Sequence, residues 1–192
     1  HVFSLIAISN LLKESKLKVF DLELLQTHGG SARFYVCKNT AKYKTTKRVK
    51  FLRTKELNQG LHKFSTYKNF AKRVKNSKIK LKLLLKRLKK NRKNVISFGA
   101  TYKSATIFNY CNIGSDLIKY VLDSTKNKQG KYTPGKHILI KPSNQGIPKD
   151  IDYAFLGAWN FLKEIKKKEI KFLKRGGKFI THVPKVRIIG LK

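Results

Sequence analysis

Residues 94–111 read NVISFGATYKSATIFNYC. Val95, Ile96 and Phe98 give a short apolar segment that stops on Gly99-Ala100, and a helix-like run, SATIFNYC, follows. A strand that ends on a glycine and turns into a helix opens an α/β unit. The glycine lets the backbone come close to a ligand, and the first N–H groups of the helix attract an anion. Lys103 sits at the start of that helix, where the helix dipole disfavours a cation unless an anion lies nearby. Gly99, Ala100 and Lys103 are therefore candidate phosphate ligands, although a solvated lysine is the ordinary alternative in so basic a chain. The stretch does not contain G-x-G-x-x-G, so a dinucleotide fingerprint is not indicated.

Downstream, short elements alternate. LIKYVLD reads as a second strand, KHILI as a third, DYAFLGAW as a fourth, NFLKEIKKKEIKFLKR as a helix and GGKFITHVP as a fifth strand. Strands separated by helices predict a mostly parallel, Rossmann-like sheet flanked by helices, an α/β fold. In such sheets ligands bind outside the carboxyl ends of the strands. Asp123 ends the second strand, where an acidic residue often reads a sugar hydroxyl; a turn aspartate is the alternative. Lys128 and Gly130 lie on the long loop that follows. Trp159 and Asn160 sit at another strand end, suited to stack on and hydrogen-bond a base, or equally to pack and cap a helix.

Upstream, Leu5, Ile8, Leu11 and Leu12 have the spacing of a helix over residues 4–15. The strand KVFDLELL, a turn at Gly29-Gly30 and a second strand around Phe34 and Val36 follow. Helix, strand, turn and strand could close a sheet whose earlier strands lie before this chain, and HVFSLIAISNLL, already mid-pattern, reads as the start of a processed chain or of the back part of a longer protein. Residues 39–63 are polar and poorly periodic and read as a connector. From Phe64 to LKKNRK the apolar positions keep helical spacing, predicting a long amphipathic linking helix. The division expected is therefore 1–38, the end of an upstream α/β domain; 39–92, connector and long helix; and 93–192, the Rossmann-like domain.

The chain carries 45 Lys+Arg against 10 Asp+Glu, a formal charge of +35 over 192 residues. Non-specific binding of polyanions follows from that charge, and a basic nucleic-acid-binding module is the alternative function. Lysines greatly outnumber arginines and are spread along the whole chain, whereas specific base contacts lean on arginine. Cys37 and Cys111 lie far apart without metal spacing, which fits reduced thiols and a cytoplasmic protein and gives no metal site. No run reaches the roughly 18 apolar residues of a membrane-spanning helix, so no membrane role is expected. Five histidines offer no metal pair. His28 beside the glycine turn is the most site-like of them.

Five ordered stretches, THGGSARFYV, FGATYKSATIFNYCNI, QGKYTPGKHILI, DYAFLGAWNF and RGGKFITHVP, span essentially the whole chain. Together they resemble the C-terminal portion of S-adenosylmethionine-dependent C-methyltransferases acting on nucleotide-linked keto-deoxysugars. The resemblance implies a preceding N-terminal methyltransferase domain as partner, and a C-terminal Rossmann-like domain that helps to hold the sugar nucleotide. A base then removes a proton beside the keto group, and the enolate takes the methyl group from S-adenosylmethionine. On this reading Gly99, Ala100 and Lys103 hold phosphate, and Asn109, Tyr110 and Asp123 line the pocket. Lys128 and Gly130 belong to the loop over it, Trp159 and Asn160 to its rim, and His28 and Gly29 to the junction with the upstream domain. The family turn ends in a glycine where this chain has Ser104, and Lys136 and Leu139 replace a threonine and a proline. The family's catalytic pair and cofactor loop fall upstream, leaving His1 as the one candidate base here. The chain by itself is therefore expected to be catalytically silent and to bind no S-adenosylmethionine.

Overall fold

Ser4 starts the first helix, α1 (Leu5–Glu14): its hydroxyl accepts the Ala7 N–H at 3.1 Å. The computed structural model describes residues 3–27 and 30–191, and the chain divides into two units, residues 1–72 and 73–192. In the first, β1 (Leu17–Leu25) and β2 (Ser31–Lys38) pair antiparallel from Leu17↔Lys38 to Leu25↔Ser31. A bulge between Val19 and Asp21 shifts the register, so that Val19 and Leu22 are both buried. With Leu5 and Val49 they form a small core.

Val49 belongs to a helix, α2 (Lys47–Asn58), inside the segment that reads as a connector. Its only buried side chains are Val49 and Glu56, too few to give a periodic signal. Polar contacts fix it instead. The Asp21 carboxylate accepts from Thr46 at 2.7 Å and from the Arg48 guanidinium, which with Thr46 holds its pKa down at about 2. At the other end, Glu56 is 7% exposed and its two oxygens accept the Leu5 and Ile6 N–H groups at 2.8 and 2.9 Å. Ser4 and Glu56 thus satisfy the donors of the first turn of α1 that have no carbonyl partner within the helix.

The long helix is present as α3 (Phe64–Lys90), and its last turns bury Leu81, Leu84, Leu85 and Leu88. In the second unit there follow β3 (Val95–Phe98), α4 (Tyr102–Cys111), β4 (Val121–Asp123), β5 (Ile140–Pro142) and β6 (Tyr153–Leu156). The unit ends with α5 (Leu162–Lys168), α6 (Ile170–Lys174), β7 (Lys178–Thr181) and β8 (Arg187–Ile189). The sheet runs β5-β4-β3-β6-β7-β8, parallel except for the β7–β8 pair. Counted from β3, this is the order 3-2-1-4-5-6 of doubly wound nucleotide-binding sheets. The predicted Rossmann-like α/β class is the observed one.

All of β3 is buried because both faces of the sheet are covered. Val95 packs with α3, Phe108, Phe155 and Ile180 on one face. Ile96 and Phe98 pack with Leu156, Phe172 and Phe179 on the other. Several local readings differ from the structure, and the second strand begins only at Val121, within LIKYVLD. The third strand begins at Ile140, the end of KHILI; the expected single helix over 160–175 breaks at Glu169; and β8 adds an antiparallel edge that the sequence did not suggest. At the break, buried Glu169 accepts the Ile147 N–H at 3.1 Å.

Candidate functional site

The strand order reverses between β3 and β6, and two glycines bring the chain close to itself at their carboxyl ends. Gly157 donates its N–H to Phe98 O and Gly99 donates to Leu122 O. A Cβ on Gly157 would lie 2.2 Å from the Gly99 carbonyl oxygen. Gly99 itself has φ +94, and a Cβ there would press on Ala158 at 3.2 Å. The space around both glycines is thus filled by the protein's own chain. Ser104 completes the turn. Buried, it accepts the Thr101 N–H at 2.9 Å, its own N–H donates to the Thr101 hydroxyl at 3.1 Å, and its hydroxyl hydrogen is within reach of Thr101 O and Gly99 O. This is a capping box at the head of α4.

Both main-chain groups of Ala100 are held by side chains from the β4 end. Its N–H donates to Asp123 Oδ2 at 2.7 Å and its carbonyl accepts from Lys128 Nζ at 2.8 Å. Lys128 also lies 3.9 Å from Asp123 Oδ2, while Asp123 Oδ1 accepts the Thr125 N–H at 2.8 Å. Asp123 is therefore a buried anchor of the turn, 8% exposed. Among the described residues, the first-turn donors of α4 left without a partner are the N–H groups of Tyr102 and Lys103.

The side chain of Lys103 donates to Asn160 Oδ1 at 3.1 Å and its ammonium lies 5.1 Å from the centroid of the Trp159 ring. Lys103, Trp159 and Asn160 thus come together as one group, with Trp159–Phe161 forming a 3-10 turn ahead of α5. Asn109 stands apart: its amide donates to Ala105 O and Pro134 O and it fills the space beside Gly135. Tyr110 lies under the Lys78 ammonium, 4.6 Å from its ring centroid. Gly130, with φ +75, donates its N–H to Ile140 O and shapes the loop. His1, His28 and Gly29 lie outside the described residues.

Two clefts flank this turn, with Thr101 and Lys128 in the wall of both. One, of about 470 Å³, is polar along one side, with Asp123, Ser124, Thr125, Ser143, Glu164 and Lys168. The other, of about 460 Å³, is lined by Ala100, Ala105, Tyr102, Tyr132, Pro134 and Ile140, with Lys131 beside them. Both are of the size that takes a small organic ligand. Tyr102 and Tyr132 escaped the sequence reading. The signal that could have found Tyr102 was its place directly behind the glycine turn.

Elsewhere, His182 follows β7 and stacks on Phe155, with ring centroids 5.3 Å apart. Its Nδ1 and the neighbouring Thr181 hydroxyl are buried without a hydrogen-bond partner among the described residues. Burial depresses the imidazole pKa to about 4. Cys37 and Cys111 are free thiols, and burial pushes that of Cys111 up. Among the described residues no three His, Cys, Asp or Glu side chains are grouped to hold a metal ion, and no helix is long and apolar enough to cross a membrane.

Residues 26–184 match the family model described as C-methyltransferase C-terminal domain. The chain is also similar to C-methyltransferase NovU of Streptomyces niveus, with 32% identity over 187 residues. That alignment covers 97% of this chain and 44% of the relative, so the chain spans less than half the length of the protein it matches.

Proposed function

The chain belongs to the family of C-methyltransferase C-terminal domains, and from that premise we propose that it is the C-terminal, substrate-holding portion of an S-adenosylmethionine-dependent C-methyltransferase. Its ligand on this reading is a nucleotide-linked keto-deoxysugar. The observation that carries the reading is the pair of clefts at the carboxyl ends of β3 and β4. They share Lys128 and meet the head of α4, beside a strand-order reversal where doubly wound sheets take nucleotides. Lysine ammonium groups and unpaired first-turn N–H groups there suit a diphosphate.

S-adenosylmethionine is the methyl donor that this reading implies for the whole enzyme. The residues of this chain do not fit it. Gly99 packs on Ala158 and the Ala100 N–H is taken by Asp123, so the first turn offers no glycine cradle to a cofactor. The part played by this chain is to bind and orient substrate, and by itself it is catalytically silent. The helix α1 and the β1–β2 pair, residues 1–38, would complete an upstream methyltransferase domain. Leu24 and Val36, apolar and 63% and 39% exposed, are consistent with a surface made to be covered. Residues 93–192 are then the sugar-nucleotide domain.

A calorimetric titration with a thymidine- or uridine-diphosphate deoxysugar, at low and at moderate salt, tests the reading. Saturable one-to-one binding that survives moderate salt is the expected result. Heat that vanishes with salt would mark mere polyanion attraction to the lysine-rich surface. Binding of RNA in preference to the sugar nucleotide would favour the nucleic-acid module instead.

A further inference from the structure

The two clefts differ in chemistry in a way that orients a ligand. The cleft around Asp123, whose own oxygens already hold the Ala100 and Thr125 N–H groups, offers the Glu164 carboxylate and the hydroxyls of Ser124, Thr125 and Ser143, the partners that sugar hydroxyls need. The cleft around Tyr102 offers few. Its one buried hydroxyl, on Thr133, already accepts the Ile138 N–H at 3.0 Å, and the rest of its surface is largely alanine, proline, isoleucine and tyrosine. Two aromatic rings line it and neither is packed away. Tyr102 is 97% exposed although it is the first residue of a helix, and Tyr132 is 61% exposed. No hydrogen bond of either hydroxyl, and no aromatic stacking of either ring, is found among the described residues. Flat, sequence-tolerant stacking on exposed tyrosines is how proteins commonly hold nucleobases.

Lys128 separates the two spaces and stands in both walls. It spends one hydrogen on Ala100 O, faces Asp123 at 3.9 Å and retains hydrogens for an anion. Lys131 lines the tyrosine cleft and makes no ion pair among the described residues. We propose that the Tyr102–Tyr132 cleft takes the base of a nucleoside diphosphate, that Lys128 and Lys131 take its phosphates, and that the Asp123 cleft receives the hydroxylated group attached to them. This assignment rests on the sugar-nucleotide reading and adds to it the direction in which the ligand lies.

The test is calorimetry of the chain at moderate salt with uridine diphosphate, thymidine diphosphate and inorganic pyrophosphate as separate probes. Tyr102→Ala and Tyr132→Ala should each weaken nucleoside diphosphate binding by about tenfold, the scale of one lost stacking contact, and leave pyrophosphate binding unchanged. Tyr102→Phe keeps the ring and should bind as the parent chain does. Lys128→Gln should weaken all three probes. Tyr102 lies on the surface, so its variants do not disturb folding. If both alanine variants bind the nucleoside diphosphates as the parent does, the base lies elsewhere; this assignment falls while the sugar-nucleotide reading stands. If the parent binds none of the nucleoside diphosphates, both fall together.

Discussion

Glu56 offers the sharpest test of how the first unit is held. Its carboxylate lies in α2 but closes the first turn of α1, accepting two N–H groups about fifty residues away in sequence. Hydrogen bonds to a charged acceptor are worth about 1.5–3 kcal/mol each when buried, and a negative charge at a helix N-terminus adds about 0.3–1 kcal/mol. Glu56→Ala removes both acceptors. The first turn can then fray towards water, which recovers part of the loss, so the expected destabilisation is about 3 kcal/mol. Glu56→Gln keeps one carbonyl oxygen and loses the charge, for an expected cost of about 1–1.5 kcal/mol. Urea denaturation followed by circular dichroism gives the free energies, and hydrogen exchange at the Leu5 and Ile6 amides reports the cap itself. If Glu56→Ala lies within about 0.5 kcal/mol of the parent, the range of an ordinary surface substitution, and those amides exchange no faster, the cap contributes nothing and the account of α1 is wrong.

Two further outcomes follow from the second unit. The folded-state pKa of His182, about 4, lies below the usual histidine value, so between pH 6.5 and 4 the unfolded chain binds a proton that the native one does not. Its contribution to stability is thus complete above pH 6.5 and is lost as the pH falls to 4; the full shift corresponds to about 3 kcal/mol, lowered to about 2 by solvent at the partly exposed ring. His182→Phe should flatten the stability–pH curve in that window and leave the fall from pH 3.8 to about 2, over which the contribution of Asp21 is lost. Gly157→Ala would set a methyl group 2.2 Å from a backbone oxygen and should cost about 3 kcal/mol or more in thermal denaturation. Gly190→Ala, with open space around it, is the neutral control.

What the sequence disclosed was whatever repeats along the chain. Val95–Phe98, the leucines of α3 and the alternation of strands with helices are periodic signals, and each marks its element. Elements held by single polar contacts were opaque. Helix α2 depends on Asp21 and Glu56 partners distant in sequence, and the break at Glu169 accompanies a carboxylate turned to the Ile147 N–H. The same limit applies at the candidate site. Gly99, Lys103, Asp123 and Lys128 could be singled out by their places at turns and strand ends. That Asp123 and Lys128 grip Ala100, and that Lys103 joins Asn160, depends on distances that no spacing encodes. Nor does any spacing encode the hydrogen bond from Asn109 to Pro134 O.

The position of β3 at the centre of its sheet bears on how the protein is made. β3 leaves the ribosome before both of its neighbours, and its Ser97 meets Phe155 of β6 across 58 residues. At about 5–20 residues per second, that partner arrives roughly 3–12 seconds later. The β4 partner of Ser97, Val121, comes sooner, but until β6 arrives a short, largely apolar strand keeps one edge unsatisfied, the condition under which nascent chains stick to one another. The residues made just before it are KKNRKN. Charges flanking an unavoidable hydrophobic strand act as gatekeepers against association, and Lys89, Lys90, Arg92 and Lys93 stand in that position ahead of β3.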